Sequence, residues 1–154
     1  MTVRDSLYHF AGNLALNLTA GGKSPAQWAQ RLENNGKKLE TTLAAAPQTE
    51  FNARVLNHII GIERWGQRRL RVALGEPFVR DEYNGYRPAR EASWDELKRD
   101  FTATRADTVR IARELEQAQA GDERILHNAY GNLTVRGWLR YLDIHSSFEA
   151  RKMR

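Results

Sequence analysis

The chain has 154 residues, of which 41% are hydrophobic and 28% charged, a size and balance that fit one globular domain over residues 1–154. Its 24 Lys and Arg against 19 Asp and Glu leave a formal charge of +5, short of the charge excess that keeps a chain disordered. There is no cysteine, which excludes disulfides, thiolate metal sites, iron–sulfur clusters and a cysteine nucleophile, and leaves His, Asp and Glu as the strong ligand types. No window has the roughly 18 to 20 consecutive apolar residues of a membrane span, nor is there a continuous apolar signal core, so a cytoplasmic protein is expected.

In chain order, Thr2 to Ala20 carries Val3, Leu7, Phe10, Leu14 and Leu18 at helical spacing and is stopped by Gly21 and Gly22. It reads as an N-terminal helix additional to the bundle that follows. Ser24, Pro25 and Gln27 form a start signal: a capping hydroxyl, proline at the first helical position and glutamine three residues after the cap. Trp28, Leu32, Leu39, Leu43 and Ala46 then recur up to Pro47. Asn52 is placed to cap the next helix, with Phe51 and Leu56 as a hydrophobic staple; its inner face is Val55, Ile59, Ile62, Gly66 and Leu70, and Gly75 and Pro77 end it.

Ser93 and Glu96 form a capping box for a stripe of Trp94, Leu97, Phe101, Thr104, Thr108, Ile111 and Leu115, closed by Gly121. Thr134 caps a last helix whose face is Val135, Trp138, Leu142 and His145 and which is expected to run nearly to Arg154. No stretch shows sustained two-residue alternation, so no sheet is expected. The pattern predicts an all-α fold, an antiparallel four-helix bundle over residues 24–154 with the extra helix before it. The connection from Gly75 to Ala92, with Phe78, Tyr83 and Tyr86, is too long for a helix hairpin and is expected to fold across one end as a lid. Thr-Val-Arg at 2–4 and 134–136 reflects shared helix-start chemistry and not a repeat.

Three polar residues interrupt the apolar faces. His58 lies between Val55 and Ile62, and in the last helix His145 and Glu149 continue the stripe of Trp138 and Leu142. An i, i+4 pair shares a helix face, near enough to bind one ion. A carboxylate carried into the bundle needs a cation, an arginine or a water-filled pocket, and a metal held by His58, His145 and Glu149 satisfies all three residues. The spacing also fits hydrogen-bonded core histidines and a solvated Glu149. His9 and His127 read as surface or locally bonded residues. The tryptophans at 28, 65, 94 and 138 read as core, and Arg64, Arg68 and Arg71 as a solvated face. Ser146 and Ser147 cannot face the adjacent His145 on a helix, and no glycine-rich phosphate loop is present.

Val55-Leu56-Asn57-His58-Ile59-Ile60, continuing through Glu63-Arg64-Trp65 and Leu70 to Gly75-Glu76-Pro77, resembles the second helix of the DinB-like four-helix bundle superfamily. Leu133-Thr134-Val135-Arg136, leading through Leu139 and Leu142 to His145, resembles its last helix. The resemblance covers roughly residues 24–154. It implies a divalent metal, zinc or nickel most often, bound by a histidine of the second helix, matched by His58, and an HxxxH pair of the last. His145 matches the first of that pair. The second departs, because Glu149 stands where the family has histidine, a change that moves preference towards manganese or iron.

The resemblance implies chemistry of the thiol S-transferase or hydrolase type on a small electrophilic or xenobiotic substrate in stress response. Bacillithiol or mycothiol is the thiol of better-understood relatives, and homodimers are frequent. With no cysteine in the chain, any thiol must come with the substrate. Arg140 and Tyr141 are both candidates to orient it. A non-catalytic ligand- or partner-binding bundle that has lost the metal is the alternative, supported by Glu149. Nucleic-acid binding is a weaker alternative: a charge of +5 spread over mixed-sign helices is modest for it. A membrane partner is not expected. The dimer is expected because the stripe of the N-terminal helix is surplus to a completed four-helix core.

Overall fold

Each helix after the first begins where a side-chain oxygen is available to cap it. In the computed structural model, which describes residues 3–154 apart from the side chains of residues 3–5, 7 and 8, the helices are α1 (Val3–Ala20), α2 (Pro25–Ala45), α3 (Glu50–Val72), α4 (Trp94–Gln117) and α5 (Val135–Ala150). Ser24 and Ser93 make complete capping boxes with Gln27 and Glu96, and Thr134 caps α5 through the Gly137 N–H. Of the expected N-terminal stripe, the Leu7 and Val3 side chains and Thr2 lie outside the described residues. Among the described residues, no helix is long and apolar enough to cross a membrane.

Three helix ends differ from expectation. Thr49, not Asn52, caps α3, its hydroxyl accepting from the Asn52 N–H at 3.1 Å. Phe51 is therefore already helical, and the expected staple with Leu56 does not form. Asn52 is fully buried, its amide donating to the Pro47 and Arg154 carbonyls. Helix α4 ends at Gln117, before Gly121, because Gln119 takes the left-handed conformation (φ 53°). The N–H groups of Gln119 and Ala120 then close onto Glu116 and Leu115, which satisfies the last carbonyls without glycine. Helix α5 stops at Ala150, one turn short of the chain end.

Cross-links between the helices give their directions. Ala26 meets Glu116 and Glu33 meets Arg113, so α2 and α4 run antiparallel. Trp65 meets Trp138 and His58 meets His145, so α3 and α5 do too. But Arg64 bonds Thr104 while Gln67 bonds Thr108, and Arg31 bonds Asp143 while Asn35 bonds Ser147. The α3–α4 and α2–α5 neighbours are therefore parallel. The chain is all-α in its long elements, but it is not the simple antiparallel bundle expected.

A parallel α3–α4 pair requires the chain to return the length of α3, 23 residues or roughly 34 Å, before α4 starts. That requirement explains the long connection, which is a strap along the side of α3 and not a lid over one end. Asp81 accepts from Trp65 Nε1 at 3.1 Å and pairs with Arg69. Farther along, Arg87 reaches His58 and the Pro88 carbonyl accepts from Asn57. A short 3-10 turn, Tyr83–Tyr86, crosses α3 at Gly61, where a Cβ would lie 2.6 Å from Arg87 Cγ.

A small sheet is also present, against expectation: β1 (Arg124–His127) pairs antiparallel with β2 (Gly131–Thr134). Four residues per strand are too few for alternation to declare itself. The hairpin is held by side chains of α1. Asn13 donates to the Tyr130 and Asn132 carbonyls, and Asn17 Oδ1 accepts from the Thr134 N–H. Ile125 and Leu133 point into the core.

The inner residues expected on α3 and α4 are buried, as are all four tryptophans. Inside this apolar core lies a charged clasp. Arg105 of α4 bonds both oxygens of Glu63 of α3, at 2.7 and 2.9 Å. It also donates to the Leu32 carbonyl of α2 and to Ser146 Oγ of α5, so one guanidinium ties four helices together.

Candidate metal centre

The antiparallel α3–α5 pair is close enough for its polar residues to meet. At Gly66 a Cβ would stand 2.6 Å from Leu142 Cδ2, so glycine permits the approach. About two turns away, His58 and His145 face each other with their Nε2 atoms 3.2 Å apart and their ring centroids at 5.0 Å. Glu149, one turn beyond His145, completes the group. His58, His145 and Glu149 each offer a ligand atom, all within 4.8 Å of one another, and all three residues are partly buried.

The separation suits a metal. Two imidazole nitrogens at about 2.0–2.1 Å from one tetrahedral ion stand roughly 3.3 Å apart. Two neutral nitrogens and a carboxylate oxygen are an established donor set for catalytic zinc and also suit manganese or iron. Burial lowers the pKa of His58, assisted by Arg87 and Lys152 and opposed by Glu149. Burial and the neighbouring His58 bring that of His145 down to about 4. Both rings are thus neutral at pH 7, the form that ligates.

Two cations border the group. Lys152 Nζ is 2.7 Å from Glu149 Oε1. From the strap, Arg87 lies 3.2 Å from His58 Nδ1 and stacks over Tyr83, whose ring meets His58 edge-on at 5.1 Å. Arginine has only donors, so the hydrogen-bond network assigns His58 Nδ1 as acceptor and Nε2–H as donor to His145 Nε2. A divalent ion held by these residues would displace that proton, and His58 would then carry its proton on Nδ1, where Arg87 would have to give way.

The other expected residues fall elsewhere. His127 is not a surface residue. Only 4% exposed, it sits among Trp65, Trp138, Tyr130 and Tyr141, with ring separations of 4.7 to 5.1 Å. Its Nδ1 accepts from the Ala129 and Tyr130 N–H groups, the local bonding that its place before the last helix allows. Burial pushes its pKa down to about 3. His9 is half-buried, its ring 6.5 Å from that of Tyr130.

Of the two substrate-orienting candidates, Tyr141 packs against His145 at 5.7 Å, whereas Arg140 lies over Trp28. Arg64 and Arg68 pair with Asp100 and Glu76. The strap residues Tyr83 and Arg87 were legible in the sequence only as part of a long aromatic loop. The Glu63–Arg105 clasp carries a clearer signal: each is a charged residue set within an apolar helical face.

Comparison with family models, curated proteins and solved structures finds no match to this chain.

Proposed function

We propose that the chain is a metal-dependent enzyme of the thiol S-transferase or hydrolase type, a divergent DinB-like bundle that holds one divalent ion with His58, His145 and Glu149. The observation that carries the reading is the pair of facing Nε2 atoms at 3.2 Å with a carboxylate one turn away. A divalent ion held there, zinc or nickel with manganese or iron as alternatives, supplies the Lewis acidity that lowers the pKa of a thiol or of water.

The chain's own residues then divide the work. Tyr83 and Tyr141 wall the His58 and His145 rings and restrict water, and Arg87 places a positive charge at the same rim. In the transfer reaction a thiolate sulfur, bacillithiol or mycothiol being the low-molecular-weight thiols the resemblance suggests, bonds to an electrophilic carbon. The carbon's bond to its leaving group breaks, the leaving group departs with the electron pair, and the thiol proton passes to solvent.

The test uses protein purified without a histidine tag, with cysteine as thiol and 4-nitrobenzyl chloride as electrophile. Turnover that requires added metal and falls at least 100-fold in His145→Ala supports the reading. No metal-dependent turnover, or turnover unchanged in His58→Ala, removes it. The second reading, a non-catalytic binding bundle, is favoured by the Lys152–Glu149 ion pair, which already neutralises the carboxylate. It predicts that His58→Ala and Glu149→Ala alter stability only.

A homodimer is part of the proposal. Phe10, Leu14 and Leu18 of α1 are 69, 48 and 69% exposed, and residues 6–22 include no Lys, Arg, Asp or Glu. Such an uncharged apolar face is typical of a surface that pairs.

A further inference from the structure

A groove between α1 and α5 opens beside the candidate metal centre. Ala15 and Leu16 form one side, Ile144 and Phe148 the other, and Tyr141 and His145 line it as well. The imidazole of His145 is therefore shared: one edge faces His58 and the ring borders the groove. Apart from that imidazole and the phenols of Tyr130 and Tyr141, no ionisable side chain is among the described residues lining it. The volume is about 260 Å³, against roughly 150 Å³ for a cavity that takes benzene and 300 Å³ or more for one that encloses a whole drug-sized ligand.

From this we infer that the groove is the substrate-substituent subsite of the proposed reaction. It takes the neutral aryl or branched-alkyl group of the electrophile while the reacting carbon lies at His145. Three observations decide between occupants. The groove is continuous with a metal-ligand candidate, so what fills it is within reach of the chemistry. No charged side chain lines it, and the cation at its rim, Lys152 over Phe148 at 5.1 Å, is already paired with Glu149, so an anionic group entering it loses its hydration without a free countercharge. It is also too small for a helix of a partner chain, about 10 Å across with its side chains.

Leu16 lies on the opposite side of α1 from Leu14 and Leu18, whereas Ala15, three residues before Leu18, stands at the border between the groove and the exposed stripe. The position of α1 is set by the close approach of Gly12 to Tyr130, where a Cβ would stand 2.8 Å from the ring. The assignment rests on the metal-enzyme reading for its chemistry, but the groove can be tested without turnover.

The probe is N-phenyl-1-naphthylamine, neutral and fluorescent in apolar surroundings, titrated into the full chain with and without zinc. Saturable binding at one site per chain is expected, at least tenfold weaker in Ala15→Trp, which fills the groove. The same weakening is expected in Phe148→Asp, which puts a charge at its exposed rim, and zinc stoichiometry should be unchanged in both. Absence of saturable binding, or wild-type affinity in either variant, overturns the inference. So does binding that appears only after Leu14→Asp with Leu18→Asp dissociates a dimer, since a second copy then occupies the groove. If the probe binds as expected but zinc does not bind the wild-type chain, the metal reading fails alone; if zinc binds and the probe does not, this inference fails alone.

Discussion

The guanidinium of Arg105 lies on the carboxylate of Glu63 with two short bonds, 2.7 and 2.9 Å, where both side chains are almost wholly buried. Thr108 adds a third bond to Glu63, and Ser146, next to His145 in the chain, accepts from Arg105. The clasp thus holds the α5 backbone beside the candidate metal centre. Removing one partner leaves a buried charge uncompensated, so Glu63→Ala is expected to cost about 3–5 kcal/mol. The double variant Glu63→Leu with Arg105→Met should recover much of that loss. Chemical denaturation measures both, and a loss below about 1 kcal/mol in Glu63→Ala would show that the pair is solvated.

Arg87 is expected to oppose metal binding. It donates to the Nδ1 atom of His58 that must carry the proton once Nε2 is a ligand. Arg87→Gln offers a carbonyl oxygen to that proton and removes a positive charge, and zinc should bind about tenfold more tightly. Competition titration against a chelator reads the change; unaltered or weaker affinity contradicts the tautomer assigned to His58.

Acid sensitivity follows from His127. Its pKa falls from 6.5 to about 3 in the folded chain because burial disfavours the charged ring. The unfolded chain therefore takes up the proton first as pH drops below 6.5. The contribution to stability is complete above that pH and is lost progressively towards pH 3, by about 1.4 kcal/mol per pH unit. His145, brought down to about 4, adds a loss of the same sign over a shorter range. In metal-free protein between pH 6.5 and 5, above the main carboxylate range, His127→Phe should have a slope shallower by about one proton. Equal slopes would mean that His127 titrates normally.

The exposed stripe of α1 predicts a dimer. Light scattering at micromolar concentration should give twice the chain mass, and Leu14→Asp with Leu18→Asp should halve it. A monomeric full-length chain removes the dimer, and a dimer that survives both charges places the interface elsewhere.

The long helices were legible because their signals are local: a serine and a glutamine or glutamate three residues apart mark α2 and α4, and apolar spacing marks the inner faces of α3 and α4. The histidines and Glu149 were legible for a related reason, since polar residues on an apolar face need a partner. What local patterns do not carry is direction and distance. Whether α4 returns beside α3 or runs along it depends on which partners Arg64 and Gln67 reach across the bundle, and the strap is a consequence of that choice. The hairpin was hidden because its four-residue strands are held by Asn13 and Asn17, more than a hundred residues earlier in the chain. The local bonding of His127 was legible but its burial was not, because the aromatic rings that cover it come from α3, the hairpin turn and α5.

The most direct test of the metal centre is its stoichiometry. The untagged chain is reconstituted in turn with zinc, nickel and manganese, freed of excess ion, and assayed by elemental analysis alongside His58→Ala, His145→Ala and Glu149→Ala. The account predicts about one ion per wild-type chain for at least one of these metals, and at least a tenfold loss of affinity in each variant. Less than about a tenth of an ion per wild-type chain with all three metals would contradict it.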